Sequence, residues 1–229
     1  MINITTGFIF ADENEFPPFE QIILKNGGEA FEQYGKRFVK LEKGGDTLIG
    51  VKSGVGKSNA AAGAAYLISM GADRILNGGL SGAVSHVFRG EIIAGESCAE
   101  CDFDLRSTGR KLGEKIEGYT ALPADEELLN AALKIKGIRK GKLGSGDMFL
   151  TDKEKKELYL KTFGINAFDM ESGAIACVCA SAGVPFLSVR KISDNADDTA
   201  VEDYRELDSL QEDDLAKILL IIAGFESLI

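Results

Sequence analysis

The chain has too little histidine and cysteine for most chemistry that depends on those side chains. It contains one histidine, His86, and four cysteines among 229 residues. A single histidine with no placed acid partner gives little support to a histidine-centred triad. The cysteines are too few and too poorly spaced for a disulfide framework. Cys98 and Cys101 form one C-x-x-C motif without a second pair or a nearby histidine, which argues against a zinc or redox site.

Positive charge is also scarce. Lysine and arginine number 26 against 36 aspartates and glutamates, and the formal net charge is −10. This balance argues against nucleic acid or an anionic membrane surface as the main partner, but it is compatible with a neutral or cationic small substrate. No apolar run approaches about 20 residues, and no secretory signal pattern begins the chain. We therefore expect a soluble, cytoplasmic protein.

Linkers, low-complexity tracts and fixed-period repeats are missing as well. With 45% hydrophobic residues, the chain can bury a sizeable core, so we expect one α/β domain over residues 1–229. Its last predicted element is a helix from Ser209 to Leu228 with an apolar stripe, which Asp208 could cap.

The most informative stretch runs from Pro185 to Asp198. Its first part, Phe186 to Ile192, is a β-rich run of strand length, and an acidic segment then stops it. This pattern puts Asp194 where a strand ends. Ligands of open α/β sheets bind beyond the carboxyl ends of strands, so a carboxylic acid there is well placed for proton chemistry. A helix-capping or turn aspartate is the alternative interpretation.

A second acidic cluster follows the first predicted strand, Ile2 to Phe10. It reads Ala11-Asp12-Glu13-Asn14-Glu15, and the prolines after it predict a helix that begins late, near Phe19. We therefore expect the cluster on the strand-to-helix loop. Solvated surface charge is the alternative.

Two glycine-rich segments imitate ligand-binding loops. The segment from Ser53 to Asn59 lacks the first glycine of a Walker A motif and the third glycine of a dinucleotide motif, which argues against ATP or NAD. We interpret it as a tight turn that lets a helix N-terminus approach a ligand or a strand. The segment from Asn77 to Gly82 predicts a flexible turn after a short strand, Asp73 to Leu76.

Two more strand exits carry candidate binding residues. Phe149 follows a short strand and a Gly-Asp turn, which suits stacking on a flat ligand, although ordinary core filling explains it equally well. Glu171 follows the strand from Asn166 to Asp169 and begins a helix. The helix dipole favours a carboxylate there, and that carboxylate can also accept hydrogen bonds from substrate hydroxyls.

Five segments, in this order, resemble the nucleoside phosphorylase/nucleosidase superfamily over nearly the whole chain. They are Ser53-Gly-Val-Gly-Lys-Ser-Asn-Ala-Ala, Asn77-Gly-Gly, Ser145-Gly-Asp-Met-Phe, Asp169-Met-Glu-Ser-Gly-Ala-Ile-Ala and Val189-Arg-Lys-Ile-Ser-Asp-Asn-Ala-Asp. The resemblance implies a single α/β domain with a central, mixed and twisted β-sheet flanked by helices. It also implies a purine nucleoside as the small-molecule partner.

The resemblance implies two catalytic residues. Asp194 would be the general acid that protonates adenine N7, with Ser193 supporting it, and Glu15 would orient the attacking water. For that role Asp194 must hold a proton near neutral pH, and burial near Phe149 with neighbouring acids such as Asp197 would raise its pKa.

The other implied roles concern substrate binding. Phe149 would stack on the purine, and the main chain of Leu150 would contact the edge of the base. Met170 would pack under the ribose, while Glu171 would hold the ribose hydroxyls. Val55 would line the pocket and, with the alanine-rich helix after it, a symmetric homodimer interface.

The sequence departs from the family at a turn that faces the ribose. Leu80 stands where the family usually has a small polar residue, so the polar contact is lost or is supplied by Ser81. Cys101 also replaces a common histidine. These departures bear on substrate identity more than on reaction type.

The implied reaction is hydrolysis of an N-glycosidic bond, for example in 5′-methylthioadenosine or S-adenosylhomocysteine. It needs no metal or organic cofactor. A nucleoside phosphorylase and a weakly active nucleoside-binding protein are the alternatives. We expect water as the nucleophile because the arginine-bearing phosphate loops of phosphorylases are missing, and Arg190 lies inside a predicted strand.

Overall fold

Ten strands form one mixed sheet within residues 3–208 and 214–229, the residues that the computed structural model describes. The strands are β1 (Thr5–Phe10), β2 (Glu29–Gln33), β3 (Lys36–Lys43), β4 (Asp46–Lys52), β5 (Arg74–Ala83), β6 (Ile92–Glu100), β7 (Leu122–Pro123), β8 (Ile138–Ser145), β9 (Ala167–Asp169) and β10 (Phe186–Asp194). The helices in these residues are α1 (Phe16–Lys25), α2 (Lys57–Ser69), α3 (Glu126–Leu133), α4 (Lys153–Phe163), α5 (Ser172–Ala182), α6 (Ala200–Asp208) and α7 (Asp214–Ile222).

Part of the sheet closes into a ring. The strands β10, β6, β8, β9 and β5 follow one another, and β10 pairs in parallel with β5 to complete the circuit. From β5 the sheet continues through β1 and β4 to the antiparallel β3 and β2. All nine residues of β10 are buried, as expected for a strand that is covered on both faces.

Helices cover both faces of the sheet. Neighbouring side chains of β1 point to opposite faces, so they pack against different helices. Phe8 belongs to a core with α1, α3 and α7, whereas Ile9 belongs to a second core with α2 and α5. The predicted α/β architecture, a mixed sheet flanked by helices, is therefore confirmed.

Two local predictions were wrong. Helix α1 begins at Phe16 and not near Phe19, because Pro17 and Pro18 fit in the first turn, where the backbone N–H has no partner within the helix. The segment from Asn77 to Gly82 is not a turn. It lies inside β5, which runs from Arg74 to Ala83.

The glycines of β5 let side chains pass close to its backbone. A Cβ atom at Gly79 would lie 2.5 Å from Nη1 of Arg190, and one at Gly82 would lie 2.8 Å from Oδ1 of Asp194. Glycine within a strand marks such close approach. The glycines that predicted a flexible turn therefore serve close packing within a strand.

The predicted terminal helix is described only in part. Residues 209–213, where it would begin, and the Asp208 side chain lie outside the described part of the chain. Helix α7 begins at Asp214, and a short 3-10 turn spans Glu226–Leu228. Among the helices described, none is long and apolar enough to cross a membrane. The single domain and the cytoplasmic location stay predictions.

Candidate active site

A cavity lies where strands that run in opposite directions end close together: β1 and β10 are parallel to β5, and β9 is antiparallel to it. Residues that follow β1, β8 and β9 contribute to its wall, together with residues in β5, the end of β10 and one residue of α6. The space inside it, counted out to the open mouth, is about 660 Å³. All ten residues predicted from the sequence line it: Glu15, Val55, Leu80, Ser81, Phe149, Leu150, Met170, Glu171, Ser193 and Asp194.

Asp194 is the last residue of β10 and only 2% of it is exposed. Its Oδ2 accepts a hydrogen bond from the Ser193 hydroxyl at 2.6 Å, and its Oδ1 accepts one from the Ala196 amide at 2.7 Å. Burial raises the pKa of Asp194, and the carboxylates of Asp203 and Asp197 add to that effect, while the two hydrogen bonds oppose it. Asp194 therefore holds a proton closer to neutral pH than an exposed aspartate does.

Ser193 has one hydroxyl hydrogen and two possible acceptors. Its Oγ lies 2.6 Å from Oδ2 of Asp194 and 3.3 Å from the carbonyl oxygen of Ser81. When Asp194 is ionised, the Ser193 hydroxyl donates to its Oδ2, because a charged acceptor forms the stronger hydrogen bond. When Asp194 is protonated, Ser193 can turn to the carbonyl. It can thus follow both protonation states of Asp194.

Glu15 approaches the cavity from the loop after β1. Its two carboxylate oxygens accept backbone N–H groups from Ala11 and Leu80, both at 2.9 Å. Burial raises the pKa of Glu15 to about 8, with further increases from Asp12 and Glu171, whereas Arg190 and the Ala11 amide lower it. A carboxylate whose pKa lies near the ambient pH is suited to accept a proton during a reaction.

Glu171 connects two helix N-termini to the cavity. It is buried, and its Oε1 accepts the Gly56 amide at 3.1 Å. Gly56 has φ of 93° and precedes α2, so the turn at this glycine brings the helix N-terminus to a carboxylate, whereas the sequence predicted an approach to a ligand or a strand. Asp169, not Glu171, caps α5, since it accepts the amides of Glu171 and Ser172 at 2.9 Å. The Glu171 side chain is therefore available to the cavity.

Arg190 lies beneath these carboxylates and was not predicted as a site residue. Only 1% of it is exposed. Its guanidinium lies 3.4 Å from Glu171 and 3.3 Å from Asp169, and donates to Asn77 at 2.7 Å. It remains within β10 and does not line the cavity, as its strand position indicated. Its charge favours the ionised forms of Glu15 and Glu171, whereas burial favours the neutral form of both. Asp169 also favours the neutral form of Glu171.

Apolar side chains form the opposite walls. Phe149 is 42% exposed, so it does not fill the core, and its ring meets Tyr204 edge-on with centroids 5.4 Å apart. Val55 is 48% exposed. An exposed aromatic face beside a cavity is available for stacking on a flat ligand. The roles predicted for Phe149, Leu150 and Met170 stay predictions.

Leu80 and Ser81 face the cavity next to each other. Leu80 also donates its backbone N–H to Glu15. Ser81 is 3% exposed, and its hydroxyl has no hydrogen-bond partner in the described part of the chain. A buried hydroxyl without a partner is costly, and a bound ligand can satisfy it. That the polar contact is lost, or is supplied by Ser81, stays a prediction.

Asp12 and Tyr204 line the cavity and were not predicted. Oδ1 of Asp12 accepts the amides of Asn14 and Glu15, and Oδ2 accepts the Tyr204 hydroxyl at 3.1 Å. The acidic cluster was recognised as a whole, but its pattern does not tell which acid faces a ligand. Tyr204 lies 192 residues further along the chain from Asp12, so no local signal connects them.

The cavity combines a proton donor and a proton acceptor with an anionic wall. Asp194 and Glu15 reach it from separate elements, and none of the described residues lining it is a lysine or an arginine. Such a site can protonate one part of a ligand while it removes a proton from another. It does not favour an anionic ligand.

The chain resembles known proteins along nearly its whole length. Residues 5–223 match the family model described as "Phosphorylase superfamily". A 5′-methylthioadenosine/S-adenosylhomocysteine nucleosidase of Shewanella piezotolerans is 32% identical over 182 residues, 75% of this chain and 79% of the relative. An aminodeoxyfutalosine nucleosidase of Campylobacter jejuni is 29% identical over 188 residues, 75% of this chain and 82% of the relative. The crystal structure of the Helicobacter pylori 5′-methylthioadenosine/S-adenosylhomocysteine nucleosidase with butyl-thio-DADMe-Immucillin-A superposes with a TM-score of 0.91 at 25% identity, covering 98% of this chain and 99% of that one.

Proposed function

The chain belongs to the phosphorylase superfamily, and we propose that it is an N-ribosyl hydrolase that cleaves the N-glycosidic bond of purine nucleosides. The substrates we propose are 5′-methylthioadenosine and S-adenosylhomocysteine, which are named in its relatives. The observation that carries this proposal is the pair Asp194 and Glu15, two carboxyl groups with raised pKa values in one cavity.

Asp194 acts as the general acid. Adenine is a poor leaving group as an anion, and protonation at N7 allows it to leave as the neutral base, which typically accelerates such a step by about 10²–10⁴-fold. Burial raises the pKa of Asp194 and so favours its protonated form. The Ala196 amide holds Oδ1, so Oδ2 carries the proton that is transferred, and Ser193 steadies the carboxyl group before and after the transfer.

Glu15 acts on the water, and Glu171 acts on the ribose. As the base leaves, positive charge develops at the anomeric carbon, and water attacks there. Glu15 accepts the proton of this water, for which its two amide donors hold it in one orientation. Glu171, anchored by Gly56 and Arg190, accepts hydrogen bonds from the ribose hydroxyls. Both carboxylates also stabilise the developing cation.

Hydrolysis is favoured over phosphorolysis by charge. A phosphate ion beside the anomeric carbon would lie close to Glu15 and Glu171, and each of these groups repels it when ionised. Two like charges about 4 Å apart repel by about 4 kcal/mol at an effective dielectric constant near 20. Arg190 already pairs with Asp169 and Glu171 and does not line the cavity. Water meets no comparable repulsion.

Product analysis tests the proposal. The protein is incubated with each nucleoside with and without phosphate, and adenine and the sugar are separated chromatographically. We expect free adenine and free ribosyl sugar at a rate independent of phosphate. A sugar 1-phosphate formed only with phosphate would indicate a phosphorylase, and binding without any product would indicate a nucleoside-binding protein. Either result contradicts the proposal.

We also propose that the chain forms a homodimer. An apolar surface lies between α2 and α5 and includes Ile68 and Val178, and the exposed Val55 precedes α2. Light scattering at micromolar concentration should give about twice 24.5 kDa, and Ile68→Glu should lower that mass because it buries a charge. A wild-type mass near the monomer value would rule out the dimer.

A further inference from the structure

The cavity has a closed end and an open end with different chemistry. Ser193, Asp194 and Ser81 lie at the closed end and are almost fully buried. The open end has more exposed residues, among them Asp12, Val55 and Tyr204. If the base lies next to Asp194 and the ribose next to Glu171, the 5′ substituent of the nucleoside points to the open end.

Asp12 is the carboxylate of the open end, and no described lysine or arginine forms an ion pair with it. Nearby acids differ in this respect. Glu13 pairs with Lys52 at 2.7 Å, and Asp203 pairs with Arg89 at 3.3 Å. The partners of Asp12 are two backbone amides on Oδ1 and the Tyr204 hydroxyl on Oδ2. A carboxylate oxygen accepts more than one hydrogen bond, so Oδ2 can accept a second donor.

We propose that the open end selects nucleosides whose 5′ substituent carries an ammonium group, which Asp12 binds. This inference rests on the proposed function. A charged donor to a carboxylate forms one of the stronger hydrogen bonds, and no described lysine or arginine lines the cavity to compete with it. Val55 and Met148 also line the cavity, so the methylene groups of such a substituent have apolar walls to pack against.

Among the relatives' substrates, S-adenosylhomocysteine carries an ammonium group on its 5′ substituent and 5′-methylthioadenosine does not. The methyl group of the latter offers Asp12 no donor and leaves the carboxylate partly desolvated, which costs free energy. We therefore expect Asp12 to favour the amino-bearing substrate.

The test compares two isosteric probes, 5′-amino-5′-deoxyadenosine and 5′-deoxy-5′-methyladenosine, which carry an ammonium group and a methyl group at the same position. The measured quantity is kcat/KM of the amino probe divided by kcat/KM of the other probe. Asp12→Asn keeps the acceptor for the amides of Asn14 and Glu15 and removes the charge. Any general effect of this variant on Glu15 changes the kcat/KM of both probes equally, so it cancels in the ratio. The intrinsic reactivities of the two probes cancel when the ratio of the variant is compared with that of wild type.

We expect Asp12→Asn to lower the ratio about tenfold, in line with hydrogen bonds to charged groups. Asp12→Ser, which also accepts backbone amides at a helix start, should lower it similarly. Glu13→Gln removes the same charge from a neighbouring exposed acid and should leave the ratio within about twofold.

An unchanged ratio in both Asp12 variants, or an equal fall in Glu13→Gln, would overturn this inference while leaving the nucleosidase proposal intact. If wild-type protein released no adenine from either probe or from 5′-methylthioadenosine, the proposed function itself would fail, and this inference with it.

Discussion

The stability of a Glu15→Gln variant relative to wild type should rise from acidic to alkaline pH. Glu15 ionises in the unfolded chain near pH 4.5, and in the folded protein its pKa is about 8. Between these values the folded state holds a proton that the unfolded state has lost. Wild-type stability from this group is therefore complete below about pH 4.5 and is lost as pH rises towards about 8.

The magnitude follows from the two pKa values. For one group with these values, linkage predicts that wild-type protein loses about 3 kcal/mol of unfolding free energy between about pH 5.5 and about pH 8.5. Glutamine cannot ionise, so Glu15→Gln loses none of it. The variant also loses one acceptor, because an amide NH₂ faces either Ala11 or Leu80, and this costs about 1–3 kcal/mol at every pH. The difference between the two pH values is thus the informative quantity.

Urea unfolding of wild type and Glu15→Gln at the two pH values measures how the difference in their unfolding free energies changes with pH. The contributions of other titrating groups to the free energy of unfolding cancel when the variant is compared with wild type at the same pH. We expect the stability of Glu15→Gln relative to wild type to rise by about 2–3 kcal/mol from acidic to alkaline pH, about 4–12 °C in Tm for a chain of this size. A difference that stays constant within about 0.5 kcal/mol would refute a raised pKa for Glu15 and weaken its role as a base that titrates near neutral pH.

Three further predictions concern the same site. Asp194→Asn should abolish turnover while nucleoside binding survives, because an amide hydrogen-bonds but cannot deliver a proton; retention of more than about a tenth of wild-type kcat, a loss below about 1.4 kcal/mol, would contradict the acid role. Arg190→Met should destabilise the fold by about 3–5 kcal/mol, since it leaves the buried Asp169 and Glu171 without their cation, and chemical denaturation should detect this. Gly79→Ala should destabilise the protein by about 1–3 kcal/mol and lower kcat/KM, because its Cβ would lie 2.5 Å from Arg190 and 2.8 Å from Glu15; full activity with unchanged stability would show that these side chains can move.

Local patterns in the sequence were sufficient to locate the site on the fold. The β-rich run before Asp194 predicted a strand that ends at a carboxylate, and the run before Ala11 predicted the loop that carries Glu15. These predictions succeeded because strand length and strand ends depend on neighbouring residues, and parallel strands bring their carboxyl ends to one edge. The resemblance to a known family then supplied the roles of the residues.

The glycines of β5 mark the limit of such reasoning. From the sequence, Asn77 to Gly82 predicted a turn, because glycine is common in turns. The segment is a strand, since the space that the glycines leave is filled by Arg190, Glu15 and Asp194 from other parts of the chain. A local pattern cannot distinguish a glycine needed for backbone freedom from one needed for close packing.

The sequence by itself thus determined the α/β class, the strand exits and the candidate carboxylates, all of which depend on residues close together in the chain. Only the tertiary structure decided which groups lie close enough to shift one another's pKa values. The raised pKa of Glu15 depends on burial and on Asp12, Glu171 and Arg190, and the open end of the cavity depends on Tyr204 meeting Asp12 across 192 positions. Burial and charge act through space, so they follow from how the strands and helices pack and not from the order of residues.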